Sequence, residues 1–570
     1  MLGKLVIGGL LALVLAAPGS AAAPPRVLLM PGVTYSRQVE LTPHGPVAVH
    51  VITAPRPSGL YGLTAALSNN SVLGREGLTA IERRASASAT VAGVNGDFFS
   101  ASGEPSGIVL RSGTLDHPAE ASRSSIGVGT DGSLRVERIE YDGIWRGLSG
   151  RRPLQLNRPP GANGVSLFTR SWGATTPTIA GSVEAILPVL PPTTPNTDLA
   201  ATVAQIGSSN GGTRIPPGGA VILARGTGAA RFAAEAPAGT ALVLRFILTP
   251  TWSDVTDAIG GGPLLVQNGK PVFRANEAFS ANLLAPRRPR TAVGQLADGR
   301  IVLVAVDGAA AGYSVGMTNF ELALTLVRLG AVTGAALGSG TATTMAFDGT
   351  LVNRPSAQGG ELPLSDALLV SYYGVYVPPP LAAELSPNGD GVGEKQTLTY
   401  KTVRPSTVTA SLAGPGGVTQ TLDSGVRAPG TYRFPWAPTG APEGRWRFSV
   451  TAVDERGQSS TADRTFTLDT TLGFLRVPAS VTVRRGGSSL RASFVLAHPA
   501  QVTAAVERPG GAIVRTLFKR RLDAATVPVG WNGRDERGVL AFAGAYALRV
   551  TATNELGTVS LVQPFRVRRG

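Results

Sequence analysis

The chemistry available to this chain has to come from carboxylates, arginines, hydroxyls and backbone amides. Its four histidines, His44, His50, His117 and His498, show no metal-ligand spacing, which argues against a zinc hydrolase. No Gly-x-Ser-x-Gly elbow is evident, and there is no cysteine to supply a thiolate or a disulfide framework. Four short stretches remain. Asn95-Gly96-Asp97-Phe98-Phe99 reads two ways, as polar groups at the edge of an aromatic sugar platform or as a tight turn with both rings in the core. Gly260-Gly261-Gly262 has successive glycines able to expose backbone N–H groups as an anion nest. Arg290, in Arg287-Arg-Pro-Arg290-Thr291, suits a bidentate grip on phosphate, or is a solvated arginine beside a strand. Asp307 ends the β-branched run Ile301–Val306, a position where function often resides.

The elements that must hold these groups are partly legible. Ile301–Val306 reads as a strand buried on both faces. Thr318-Asn-Phe-Glu321 is a capping box, so Glu321 reads as a cap rather than a catalytic acid. The helix it opens has Phe320, Ala323, Leu324 and Val327 at apolar spacing and stops at Gly330.

In order along the chain, the clusters resemble the phosphodiester glycosidase family, whose best-known activity is that of N-acetylglucosamine-1-phosphodiester α-N-acetylglucosaminidase. The stretches that carry the resemblance are Asn95–Phe99, Pro105-Ser-Gly107 leading to Gly113, Asn163–Thr169, Gly260–Val266 with Asn268-Gly269, and Pro289–Gly294. Val306-Asp-Gly308, Gly316-Met-Thr318, Asn353-Arg-Pro-Ser356 and Ser365-Asp-Ala367 complete it. The likeness covers about Arg26–Val377. It implies hydrolysis of a glycosidic bond to a phosphodiester, through an oxocarbenium-like transition state assisted by carboxylates. Phosphate leaves readily, so neutralising its charge matters more than protonating it. Asp97 and Asp307 become candidates for nucleophile or base, and Asn95 for orienting a hydroxyl. Arg290, Thr291, Gly260, Gly261, Gly262, Phe98, Phe99, Thr318 and Arg354 become candidates for substrate binding. The implied partner is a sugar-phosphate or cell-wall glycan, with no cofactor required.

One loop departs from the family pattern. Where the family carries Leu-Asp-Gly-Gly-Gly-Ser, this chain has Leu337-Gly338-Ser339-Gly340-Thr341-Ala342. The Asp position holds Gly338 and the Ser position Ala342, and Leu362 stands near a position where the family has arginine. Removing a carboxylate and a hydroxyl from a site ordinarily costs orders of magnitude in rate. Three readings follow: an active glycosidase, a catalytically impaired relative that binds surface glycan, or an adhesive protein whose tail carries the function.

That tail changes texture after Pro378-Pro379-Pro380, a stiff linker, to alternating strands with turn signals. Phe448–Gly457 matches Leu548–Gly557, with Val450 and Val550 about 100 positions apart, which fits two tandem β-sandwiches. Trp531–Gly538 followed by Ala543–Tyr546 resembles the Ig-like domain of flagellar hook-capping proteins. Between linker and repeat, Asn388, Asp390 and Glu394 sit on a glycine-rich loop that reads as a calcium candidate or as an Asx turn.

The length, 570 residues with 43% hydrophobic and 16% charged, indicates several folded domains. Residues 1–22 read as a signal peptide with Lys4, an apolar run Leu5–Ala17, and small residues to Ala22. This implies a secreted or surface-associated protein, and no later segment is apolar for the roughly 18 residues a membrane helix needs. The net charge of +15 is mostly scattered arginine pairs, so no specific nucleic-acid partner is expected. The expected architecture is α+β: a mixed-sheet phosphodiester glycosidase-like domain at 26–377, then antiparallel Ig-like sandwiches at 381–470 and 475–570.

Overall fold

A computed structural model of the chain describes residues 25–272, 276–484 and 490–570. The expected signal peptide, residues 1–22, lies outside the described residues.

Strands dominate, with a few short helices. The largest sheet has eight strands and is antiparallel at every pairing. Ile301–Val306 sits near its middle, between Gly45–Ala54 and Arg290–Leu296, and all six of its residues are buried as the sequence requires. A second sheet pairs Thr90–Asn95 with Met345–Phe347 and Asp366–Tyr372. A third pairs Val255–Gly260 with Ser124–Gly129 and Val109–Arg111. One apolar core joins all three, with Ile52 and Leu303 from the first, Val94 and Leu368 from the second, and Ile126 and Ile259 from the third. Within the second sheet Gly93 leaves room for its cross-strand partner: a Cβ there would stand 2.4 Å from Leu369 Cδ2. Two further sheets, built from segments between Glu140 and Thr249, pack around Trp145, Phe232 and Phe246 in a second apolar core that also takes Leu110 and Ala258 from the third sheet. Mixed pairing is confined to short pieces, such as Gln155–Leu156 running parallel to Val165–Thr169.

The capped helix forms over Asn319–Arg328 with both halves of the capping box made. Its buried face differs from the expected one. Asn319, Leu322, Ala323, Thr325 and Leu326 face the core, while Phe320 and Leu324 are exposed. Phase matters here: both stripes have helical spacing, and the sheet beneath selects the one led by Leu322 and Leu326.

The tail forms two sandwiches of matching design. In the first, Trp436 lies against Trp446 and Phe466; in the second, Trp531 lies against Tyr546 and Phe565. The repeated strands, Gly444–Asp454 and Gly544–Asn554, are central in their sheets. Val375 and Val377, just before the proline run, are part of the first sandwich's core. In the Asn388–Glu394 loop the oxygens accept from backbone amides. Glu394 Oε1 takes Gly389 and Gly391 N–H, Asn388 Oδ1 takes Asp390 N–H, and Asp390 Oδ2 takes Phe474 N–H at 2.7 Å. The loop thus fastens one sandwich to the next, and its geometry is that of stacked Asx-type turns. Among the described residues no group of three or more His, Asp or Glu side chains converges on a metal-sized space.

Candidate functional site

Asp97 leaves the end of strand Thr90–Asn95 and turns inward, where its side chain is fully buried. A buried carboxylate needs a cation or strong donors. Arg123, entering strand Ser124–Gly129, supplies the cation: its Nη2 donates to Asp97 Oδ1 at 2.7 Å and to the Gly261 carbonyl at 3.2 Å. The guanidinium lies 5.0 Å from the centroid of Phe98 and 4.9 Å from that of Phe279, two rings that adjoin each other at 5.7 Å and flank it from one side. A cation held against two aromatic rings in this way is more often arginine than lysine. Asp97 Oδ2 has no donor and faces bare backbone, since a Cβ on Gly260 or Gly107 would stand 2.2 or 3.0 Å from it.

Asp366 completes the cluster. Its Oδ1 accepts the Asp97 backbone N–H at 2.8 Å, and its Oδ2 is buried without a partner. Burial, then the Asp97 charge, pushes its pKa well above the ordinary carboxylate range, so the carboxyl holds a proton at neutral pH. A buried carboxyl with a raised pKa beside an ion-paired one is a frequent mark of acid–base chemistry.

Asn95 is a pin. Its Oδ1 accepts from Thr291 Oγ1 at 2.6 Å and Thr344 N–H at 3.1 Å, and its Nδ2 donates to the Gly338 carbonyl at 2.9 Å. Nδ2 also donates to the Gly96 carbonyl at 3.3 Å, so the side chain fixes three strand ends at one point and has no capacity left to orient a substrate hydroxyl. Beside it, Thr343 and Thr344 have buried hydroxyl oxygens without partners.

Asp307 occupies a neighbouring cluster at the same strand edge. Its carboxylate accepts from His50 Nε2 at 2.9 Å, Tyr313 hydroxyl at 2.8 Å, Asn353 Nδ2 at 2.9 Å and Arg354 N–H at 3.1 Å. Burial works to raise its pKa, but the His50, Tyr313 and Asn353 donors outweigh burial and hold the carboxyl below its usual range. The exposed Arg37 and Arg354 lie over the Tyr313 ring at 5.6 and 5.0 Å. Asn353 Nδ2 also reaches the Thr343 carbonyl at 3.4 Å, which links this cluster to the Asn95 pin.

Several sequence expectations need correction. Arg290 is not a phosphate fork. Its side chain is buried, and Nε and Nη2 donate to the carbonyls of Met317, Leu283, Leu284 and Pro286. With no carboxylate partner, burial and the charge of Arg288 push its pKa down to about 10. Gly260, Gly261 and Gly262 do not form an anion nest, because their N–H groups are donated to the carbonyls of Ile108, Ser124 and Ala336. Their role is steric: the chain passes close to Asp97 and Glu277 only without side chains. Phe98 faces an arginine rather than open surface, and Phe99 packs toward Leu78, Ile81 and Ala342. Thr291 is spent on Asn95, and Thr318 on the helix cap. Asp97, Arg290 and Asp307 thus have separate partner sets along one edge. Arg123 went unnoticed because nothing around Ser122-Arg123-Ser124 distinguishes it, whereas Asp366 lay within a stretch already matched to a family.

These features now meet the comparisons. Residues 197–371 match the phosphodiester glycosidase family. Residues 479–555 match the FlgD Ig-like domain. No curated protein matches the chain. Among solved structures, a hypothetical protein from Synechocystis aligns at 25% identity and a TM-score of 0.51, over 62% of this chain and 64% of that one. This chain therefore spans less than two thirds of that relative. A putative exported protein from Burkholderia pseudomallei aligns at 22% identity and TM-score 0.47, over 57% of this chain and 74% of that one. The zebrafish N-acetylglucosamine-1-phosphodiester α-N-acetylglucosaminidase catalytic domain, auto-inhibited by its pro-peptide, aligns at 14% identity and TM-score 0.30, over 63% and 86%.

In the phosphodiester glycosidase-like domain the loop 337–342 lies against the Asp97 turn. Gly338 N–H donates to the Gly96 carbonyl, and a Cβ there would stand 3.0 Å from the Asp97 carbonyl oxygen. Gly340–Ala342 forms a 3-10 turn, with Ser339 half-buried and Thr341 exposed. Ala342 is buried in an apolar cluster with Leu78, Ile81 and Leu364, away from the polar groups. Among the described residues no helix is long and apolar enough to cross a membrane.

Proposed function

We propose that the protein is a secreted phosphodiester glycosidase acting on sugar-1-phosphodiesters of an envelope or exopolysaccharide glycan. The observation that carries the reading is the Asp97–Arg123 pair beside the buried Asp366 carboxyl, behind backbone kept bare by Gly107 and Gly260. A phosphodiester arriving at Arg123 competes with Asp97 for the guanidinium, and the released carboxylate is then free to take a proton from water. Water adds to the anomeric carbon, the glycosidic C–O bond breaks, and the phosphomonoester leaves with the electron pair, stabilised by Arg123. Residues 1–22 support export.

The test is release of free sugar from a synthetic glycosyl-1-phosphodiester by the full chain and by Asp97→Asn. Turnover by wild type that falls about a hundredfold or more in the variant supports the assignment. Unchanged turnover in the variant sinks it.

One observation favours a second reading, a catalytically impaired relative that binds such a glycan. Gly338 stands where the family has its aspartate, immediately beside the Asp97 turn, so the missing carboxylate belongs to this cluster. Glycan binding by the full chain without sugar release identifies that case.

A further inference from the structure

Next to Arg123 lies a cavity of about 540 Å³ whose walls are mostly apolar, including Leu264, Phe279, Ala281, Leu284 and Phe320. It adjoins the Asp97 cluster through one residue: Phe279, which lies against the Arg123 guanidinium, is also a wall of the cavity. Glu277, a second wall residue, is tied by Ser124 N–H and hydroxyl and by Leu264 N–H, so this side is held rigidly to the strand that follows Arg123. The volume falls within the range of small-molecule sites.

The far wall is the start of the Asn319–Arg328 helix. Asn319 contributes to this wall, while its Oδ1 is enclosed in the packing and closed to the cavity. Phe320, turned out of the core by the helix phase, adds an aromatic wall beside it.

We propose that this cavity binds the second arm of the phosphodiester, an apolar group, while the phosphate sits at Arg123. The inference rests on the glycosidase reading for its phosphate and adds the class of the leaving arm, apolar rather than sugar-like.

Binding of phosphate monoesters, stand-ins for the phosphomonoester product, tests it by calorimetry on the full chain. Benzyl phosphate is expected to bind about tenfold or more tighter than methyl phosphate, because the ring leaves water for an apolar wall. Ala281→Trp, at an exposed wall position, fills the cavity and brings benzyl phosphate down to methyl phosphate affinity; Ala285→Trp fills it from a second position should the first variant misfold. The paired Asp97→Asn/Arg123→Gln variant weakens both ligands equally. Equal affinity for benzyl and methyl phosphate, or a preference that survives both tryptophans, overturns the apolar subsite while leaving the phosphate site standing. A preference that persists while the paired variant weakens neither ligand overturns the phosphate site itself.

Discussion

The Asp97 backbone N–H donates to Asp366 Oδ1 at 2.8 Å, so the carboxyl that keeps its proton is fixed by the main chain of the one that is ion-paired. This arrangement lets two acidic residues share a water-poor turn without both carrying charge.

Its first consequence is a pH dependence of stability. A carboxyl whose pKa is raised on folding contributes stability below its unfolded value, and loses it as pH rises through the folded value. Asp366 is raised by burial and by Asp97, so its contribution declines from about pH 4 upward. Asp366→Asn keeps an acceptor for the Asp97 N–H and carries no proton to lose. Relative to wild type, the variant is expected to gain about 1–3 kcal/mol at pH 8 and nothing near pH 4. Calorimetric melts across that range check it, and a constant difference at all pH values contradicts the assignment. Glu82, also raised well above its usual range by burial, contributes a slope of the same sign, which is why the difference between the two proteins is the informative quantity.

Arg123 and Asp97 are expected to behave as a buried pair. Arg123→Gln leaves the Asp97 carboxylate buried without a cation and should cost about 3–5 kcal/mol. Adding Asp97→Asn removes both charges and should recover much of the loss. Arg123→Lys keeps the charge but forfeits the guanidinium contacts with Phe98 and Phe279, giving an intermediate cost. A double-mutant cycle by chemical denaturation measures the coupling, and additive losses would show that the pair does not act as a unit.

Gly260 separates close packing from backbone freedom. Its conformation does not require glycine, yet a Cβ would stand 2.2 Å from Asp97 Oδ2 and 2.8 Å from Gly107 Cα. Gly260→Ala is expected to cost about 1–3 kcal/mol by forcing Asp97 off Arg123. Gly207→Ala, where no atom lies within 4 Å of the new Cβ, should stay within about 0.5 kcal/mol. Denaturation midpoints of the two variants decide whether contact at Asp97 is the cause.

Local signals in the sequence were enough for the capping box at Thr318, the buried strand Ile301–Val306 and the repeated β-domains. Each depends on neighbours within a few residues or on a long regular pattern. The site was less legible because its partners are remote. Arg123 meets Asp97 across 26 positions and Asp366 meets it across 269, and no periodicity encodes such pairings. Arg290 misled for a related reason: an arginine before a strand reads as a free cation, and only the fold brings carbonyls from 283–286 and 317 around it. The glycines at 260–262 were correctly singled out, but close approach and not amide exposure explains them. The helix phase was missed because Phe320 and Leu324 satisfy the same spacing as the residues that face the core.

The loop at Gly338 allows the sharpest test of catalytic competence. Its Cβ position lies 3.0 Å from the carbonyl oxygens of Gly96 and Asp97 and 3.1 Å from Asn95 Nδ2. These distances are tight but require shifts of only a few tenths of an ångström, and the backbone here needs no glycine-specific conformation. Gly338→Asp therefore places a carboxylate within the Asp97–Asn95 cluster. Ala342→Ser, by contrast, puts a hydroxyl into the apolar contacts of Leu78, Ile81 and Leu364, so it should cost stability and add no catalysis. If the remaining site is competent, Gly338→Asp raises sugar release from a glycosyl-1-phosphodiester by about a hundredfold or more, and Asp97→Asn in the same background abolishes the gain. Strong turnover by wild type with no gain from Gly338→Asp would remove the case for an impaired enzyme. Silence from both proteins, with the variant folded by circular dichroism, would show that the Asp97–Arg123–Asp366 cluster serves the fold and not hydrolysis.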